Sequence, residues 1–174
     1  MADAMNCVPT KIAEDMSLPQ RKSPRLQGYD YAQAGAYFIT ICTFQRDEIF
    51  GVISEDQLQP SEIGLIATAC WDKLPTYFPN ISLDAFVLMP NHLHGIIVLD
   101  NQTDKGNPIP LGRIVRAYKS LVSRSVNQAF SIHAPRLWQG RYHDHIIRNE
   151  SDLQRLRAYI EYNPARWAED TFYS

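Results

Sequence analysis

The sequence predicts an α+β domain, an antiparallel sheet of ferredoxin-like (RRM-like) type with helices packed on it. Three observations lead there. Read by hydrophobic period and turn residues, the chain runs strand, helix, strand, strand, helix, strand, helix, without internal repeat or low-complexity segment. Its 174 residues, 45% of them hydrophobic, suffice for one domain with a proper core and are short for two. The run from His92 to Leu99 is apolar on both alternating faces beyond its histidines, as a central strand covered on both sides must be.

The elements follow in order. Residues 1–28 carry Pro9, Pro19, Pro24 and scattered charges with no period, and predict a flexible N-terminal tail ahead of one domain over 29–174. Gly35 to Phe44, rich in aromatic and β-branched residues, is the first strand. Asp47 to Gln59 alternates without committing itself and holds a short strand or a loop. Ser61 caps a helix whose stripe is Ile63, Ile66, Ala67, Cys70, Trp71 and Leu74, ended by Pro75. Ser82 to Met89 is a strand, and the Pro90-Asn91 turn returns the chain antiparallel into the histidine strand.

Asn101 to Pro110 is a loop, and a second helix runs from Leu111 to about Gln128. At about 100° per residue, Ile114, Tyr118, Leu121, Val122 and Ser125 share one side of it, with Arg113, Arg116, Lys119 and Arg124 on the other. Gly140 to Arg148 is a strand with His143 and His145 on one face. Ser151 and Gln154 fit a capping box for a last helix carrying Leu153, Leu156, Tyr159 and Ile160, which must finish near Asn163 because Pro164 follows.

Composition narrows the setting. Cys7, Cys42 and Cys70 are odd in number, far apart and lack Cys-x-x-Cys spacing, so neither a disulfide framework nor a thiolate zinc site is indicated. With no apolar run long enough to span a bilayer and no signal-peptide core, the expectation is a cytoplasmic protein without a membrane partner. The net charge of −2 hides a segregated pattern, for Leu111 to Arg157 holds nine basic residues against three acidic ones. That region, and the Arg113, Arg116, Lys119 and Arg124 face within it, points to phosphate contact.

The chemistry centres on two histidines. On a strand His92 and His94 point the same way, and neutral imidazoles either satisfy hydrogen bonds or ligate a divalent metal. Two ligands leave a metal short. Tyr159 and Asn163, four apart, lie one turn apart on one helical face. Laid over the histidine strand, that face would offer the Asn163 amide oxygen as a third ligand and set the Tyr159 hydroxyl beside the metal. A tyrosinate there can attack a phosphodiester and form a phosphotyrosine. His145 is a candidate base. Tyr162, about 300° round the helix from Tyr159, is the less suited hydroxyl.

Pro90-Asn91-His92-Leu93-His94-Gly95 resembles the HUH motif, histidine-hydrophobe-histidine, of the IS200/IS605-like single-tyrosine transposases. Trp138-Gln139, Asp144-His145-Ile146-Ile147-Arg148, Tyr159-Ile160-Glu161-Tyr162-Asn163-Pro164 and Ile114 to Ser120 resemble more closely their REP-associated relatives (RAYTs), in the family's order over roughly 29–168. The resemblance implies an HUH transposase domain, a metal-dependent nuclease and strand transferase acting on single-stranded DNA next to a hairpin. It implies His92 and His94 as the metal pair, Asn163 at the third-ligand position, Tyr159 as nucleophile, Mg²⁺ or Mn²⁺ as cofactor, and a monomer or homodimer. Two other classes compete: a non-catalytic single-stranded nucleic-acid-binding module with an RRM-like fold, and a phosphoesterase using activated water.

Overall fold

In a computed structural model, described over residues 28–100, 108–132 and 136–172, the predicted order of elements is present. Strand β1 (Gly35–Cys42) is followed by a small hairpin of β2 (Gly51–Ser54) and β3 (Gln57–Pro60), then helix α1 (Glu62–Asp72) and a single helical turn α2 (Leu74–Tyr77). Strands β4 (Ile81–Met89) and β5 (His92–Leu99) precede the long helix α3 (Leu111–Phe130), the edge strand β6 (His143–Ile147) and helix α4 (Glu150–Tyr162), which runs into a 3-10 segment, Pro164–Glu169.

The main sheet has the order β4-β5-β1-β6 with every neighbour antiparallel, which makes the histidine strand central, as its two apolar faces predicted. The crossover helices share one face. There α1 and α3 bury Trp71, Ile114, Tyr118 and Val122 against Tyr37, Ile39, Ile41, Leu93 and Ile97. Strand alternation sends Phe38, Thr40, His92, His94 and Ile96 to the other face, where α4 packs Leu156, Tyr159 and Ile160 on Phe38 and Ile96. Both faces of the sheet are thus covered.

Several boundaries differ from the local reading. Asp47 to Gln59 resolves into the β2–β3 hairpin, whose turn residues Glu55 (φ 51°) and Asp56 (φ 59°) are both left-handed, a primed turn that usually recruits Asn-Gly. Ser61 does cap α1, accepting from the Gly64 N–H at 3.0 Å, but Pro75 opens α2 instead of ending the helical region. The cap of α4 is Asn149, which accepts from the Asp152 N–H at 2.8 Å. Ser151 therefore lies inside the helix, and Gln154 bonds Glu150 instead of closing a capping box. The predicted tail, 1–28, lies outside the described residues except for Gly28, as does the part of the predicted loop over 101–107.

Gly95 directly follows His94 in β5 but faces α1. A Cβ there would come within 2.5 Å of two ring carbons of Trp71, itself stacked on Phe86 at 4.8 Å. Overpacking of this kind costs about 1–3 kcal/mol, so Gly95→Ala is expected to lower the midpoint of urea unfolding accordingly, without touching the opposite face.

Candidate metal centre and tyrosine site

The site is built where β5 leaves its hairpin. The Pro90-Asn91 turn is held because the Thr43 N–H donates to Asn91 O (2.9 Å) and the Phe50 N–H to Pro90 O (3.0 Å). His92 and His94, both fully buried, bring their Nε2 atoms to 3.0 Å of each other. The partners on the far side of each ring matter more. Asn91 donates through Nδ2 to Phe172 O (2.8 Å), which aims its Oδ1 at His92 Nδ1 (2.8 Å), so that Nδ1 carries the proton and Nε2 keeps its lone pair. His94 Nδ1 lies 2.8 Å from the buried Thr40 hydroxyl, which can accept a proton in the same way and free the second Nε2.

Around that convergence stand three groups. The Tyr159 hydroxyl is 3.4 Å from His94 Nε2. Asn163, buried as the C-cap of α4, donates through Nδ2 to Asp170 Oδ2 at 3.0 Å, while its Oδ1 is buried with no hydrogen-bond partner. Asp170 Oδ2 lies 3.9 Å from His92 Nε2, and one donor atom each of His92, His94 and Asp170 falls within 4.8 Å of the others. Two imidazole lone pairs, a carboxylate and an orphaned amide oxygen form a donor set of the kind that holds a divalent cation. Asp170 is the member that sequence reading missed. It arrives through the 3-10 segment after Pro164, and no periodicity links it to the histidines.

The electrostatics agree. Burial holds both imidazoles neutral, with His92 pushed down to about 3 and His94 well below its usual value. Burial, reinforced by the Asp170 carboxylate, drives the Tyr159 phenol well above its usual value, partly offset by Asn163. Burial likewise raises Asp170.

Helix α4 is fastened at both sheet edges. A bulge in β4 between Leu83 and Phe86 presents Asp84 to Arg157, whose Nε donates to Oδ1 (2.8 Å) and Nη2 to Oδ2; this guanidinium is the main reason the Asp84 carboxyl lies below its usual range. At β6, His145 Nε2 sits 2.7 Å from Asp152 Oδ2 in the first turn of α4. His145 is thus engaged in anchoring the helix and is not positioned on Tyr159 as a base. Tyr162, 37% exposed, lies off the site.

The predicted basic face is elsewhere. Because α3 covers the other side of the sheet, Arg113, Arg116 and Arg124 are exposed on the side away from the histidines. Lys119 is drawn in, its ammonium donating to Gln139 O (2.9 Å) and Arg141 O (3.1 Å), and burial lowers it to about 8. Trp138 is core, packed on Phe50 and Tyr118, with its indole N–H donating to Lys119 O (3.2 Å).

Comparison with known proteins decides the family. The sequence pattern of the family described as "Transposase IS200 like" matches residues 75–163, just over half of the chain and the segment that runs from the start of α2 through Asn163. The chain belongs to the IS200-like transposase family. A relative from Haemophilus influenzae, described only as an uncharacterized protein, is 36% identical over 172 positions, covering 88% of this chain and 93% of that one. Among solved structures, one described as a REP-associated tyrosine transposase bound to a REP hairpin is similar in fold, with a TM-score of 0.61 at 21% identity over 82% of this chain and 73% of that chain. This transposase-family chain is accordingly read as a DNA-processing enzyme. Among the described residues, no helix is long and apolar enough to cross a membrane.

Proposed function

We propose that this transposase is a metal-dependent nuclease and strand transferase for single-stranded DNA of the REP-associated kind, cutting next to a hairpin through a 5′-phosphotyrosine. The observation that carries the reading is the position of the Tyr159 hydroxyl, 3.4 Å from a His94 Nε2 that is itself 3.0 Å from His92 Nε2. His92 and His94 would hold Mg²⁺ or Mn²⁺ with Asn163 Oδ1, and Asp170 is a fourth candidate ligand. The metal, when bound, supplies positive charge that favours the phenolate and offsets charge on a phosphate oxygen.

Tyr159 then does the covalent work. Its phenolate oxygen forms a bond to phosphorus as the bond to the 3′ oxygen breaks, and that oxygen leaves as a 3′-hydroxyl after taking up a proton. The 5′ end stays on the tyrosine, and a second 3′-hydroxyl can reverse the step. The active species is proposed as a monomer or a homodimer. The binding-module alternative needs an open sheet face with exposed aromatics, whereas here α4 covers one face and α1 with α3 the other.

Purified protein incubated with labelled single-stranded DNA carrying hairpins, with and without Mn²⁺, tests the proposal. A slow protein–DNA band on a denaturing gel, seen only with metal, is the expected result; metal-dependent cleavage with no adduct overturns it in favour of activated water. Hairpin recognition is assigned to the exposed arginines of α3. Arg116→Ala is expected to weaken hairpin binding for all sequences alike and to reduce the slope of log affinity against log salt by about 0.9, read by fluorescence anisotropy from 50 to 200 mM salt.

A further inference from the structure

Arg46 stands beside this site, over Phe172, on a backbone conformation that is rarely formed. It ends a 3-10 turn, Phe44–Arg46, in which Gln45 (φ 54°) and Arg46 (φ 62°) are both left-handed, a conformation rarely adopted by side chains with a Cβ. Such strain persists where its surroundings over-determine it. Here the determinant is Thr43, whose N–H donates to Asn91 O (2.9 Å) and whose buried hydroxyl lies 2.8 Å from Asn91 O and 2.9 Å from Asp47 O. The turn is therefore keyed to the residue that precedes His92.

The result is that Arg46 sits over an aromatic ring packed beside His92. Its guanidinium lies 5.4 Å over the Phe172 ring, which in turn lies 4.6 Å from the His92 ring, and its Nη1 donates to Thr171 O at 3.2 Å. Among the described residues no carboxylate forms an ion pair with it, so most of its donors are uncommitted. The Asp170 carboxylate accepts from Asn163 Nδ2 (3.0 Å) and the Phe172 N–H (2.7 Å) and reaches within 3.9 Å of His92 Nε2. The charge of Arg46 acts on both His92 and Asp170.

We propose that Arg46 is a further substrate-binding residue of this site, its guanidinium holding a non-bridging oxygen of the DNA phosphate against the histidine pair. The identity of that phosphate rests on the phosphotyrosine reading above. A fork of several N–H donors suits a phosphate's oxygens better than a single ammonium does.

Binding is separable from chemistry. Two short single-stranded oligonucleotides of one sequence, one with a 5′-phosphate and one with a 5′-hydroxyl, are compared by anisotropy with Mn²⁺ for the native chain, Arg46→Ala and Arg46→Lys. The native chain is expected to prefer the 5′-phosphate by about tenfold, Arg46→Lys to keep part of that preference and Arg46→Ala to lose it. Thermal melting should be unchanged in all three. In the adduct assay Arg46→Ala is expected to slow single-turnover formation about 100-fold. A preference that survives in Arg46→Ala, or a native chain that shows none, overturns the assignment even if the adduct forms. A preference lost in Arg46→Ala alongside a native chain that forms no adduct supports Arg46 and sinks the tyrosine reading instead.

Discussion

Tyr159→Phe is expected to abolish the covalent protein–DNA adduct, with a loss on the order of 10⁴-fold or more, the scale on which removal of a nucleophile acts. The substitution is a narrow one. It keeps the ring that meets Phe38 edge-on at 6.0 Å and His94 at 5.1 Å, and deletes only a hydroxyl whose contact to His94 is long. Fold and hairpin affinity should therefore survive, and the loss should fall on the chemical step alone. Tyr162 is 37% exposed and lies round the helix from the site, so no adduct is expected to form on it in this variant. His92→Ala should remove the same band by a different route, because it deletes one of the two converged nitrogens and with it the metal dependence. Cleavage that persists without an adduct in Tyr159→Phe would sink the phosphotyrosine mechanism and leave water as the nucleophile.

The second large effect concerns acid. In the metal-free protein the folded-state value of His92 is about 3 against an ordinary 6.5, so between those values the unfolded chain binds the proton that the folded chain refuses. Where the unfolded state holds more protons, stability rises with pH. The contribution is intact above about 6.5 and falls away as the pH drops toward 3. For His92 alone the loss between pH 7 and pH 4 amounts to about 3 kcal/mol. His94, depressed for the same reason and by the charges of its neighbours, adds in the same direction. Urea unfolding of metal-free protein at pH 7 and pH 4 should show the midpoint falling steeply, and His92→Gln should flatten the dependence. A midpoint insensitive to pH across that interval would mean that the imidazoles are far more accessible to protons than their burial implies.

What the sequence determined by itself was everything set by short-range periodicity. Alternation placed His92 and His94 on one face of a central strand, helical spacing stacked Tyr159 over Asn163, and Pro164 ended the helix that carries them. The order of elements then left few topologies to choose from, since crossovers between strands of one sheet are short and right-handed. Local signals were weaker where the chemistry was generic. The Glu55-Asp56 turn lacks the glycine that usually marks its class, and Asn149 won the cap of α4 from Ser151 because the strand already ends at Ile147.

Only the tertiary structure decided which groups share a volume. A helical wheel shows that Arg113, Arg116 and Arg124 lie together, but not that α3 lies across the sheet from the histidines. It shows Lys119 among them, but not that its ammonium is consumed by two carbonyls. His145 became an anchor for α4 through a partner on another element, Asp152. Asp170 and Arg46 reached the site from opposite directions, one beyond a 3-10 segment and one from a strained turn keyed to Asn91. The physical reason is common to all of them. Periodicity follows from the geometry of one backbone element, whereas a site made of Thr43, Asn91, Asn163 and Asp170 is fixed by hydrogen bonds between segments far apart in the chain, which no single stretch of sequence encodes.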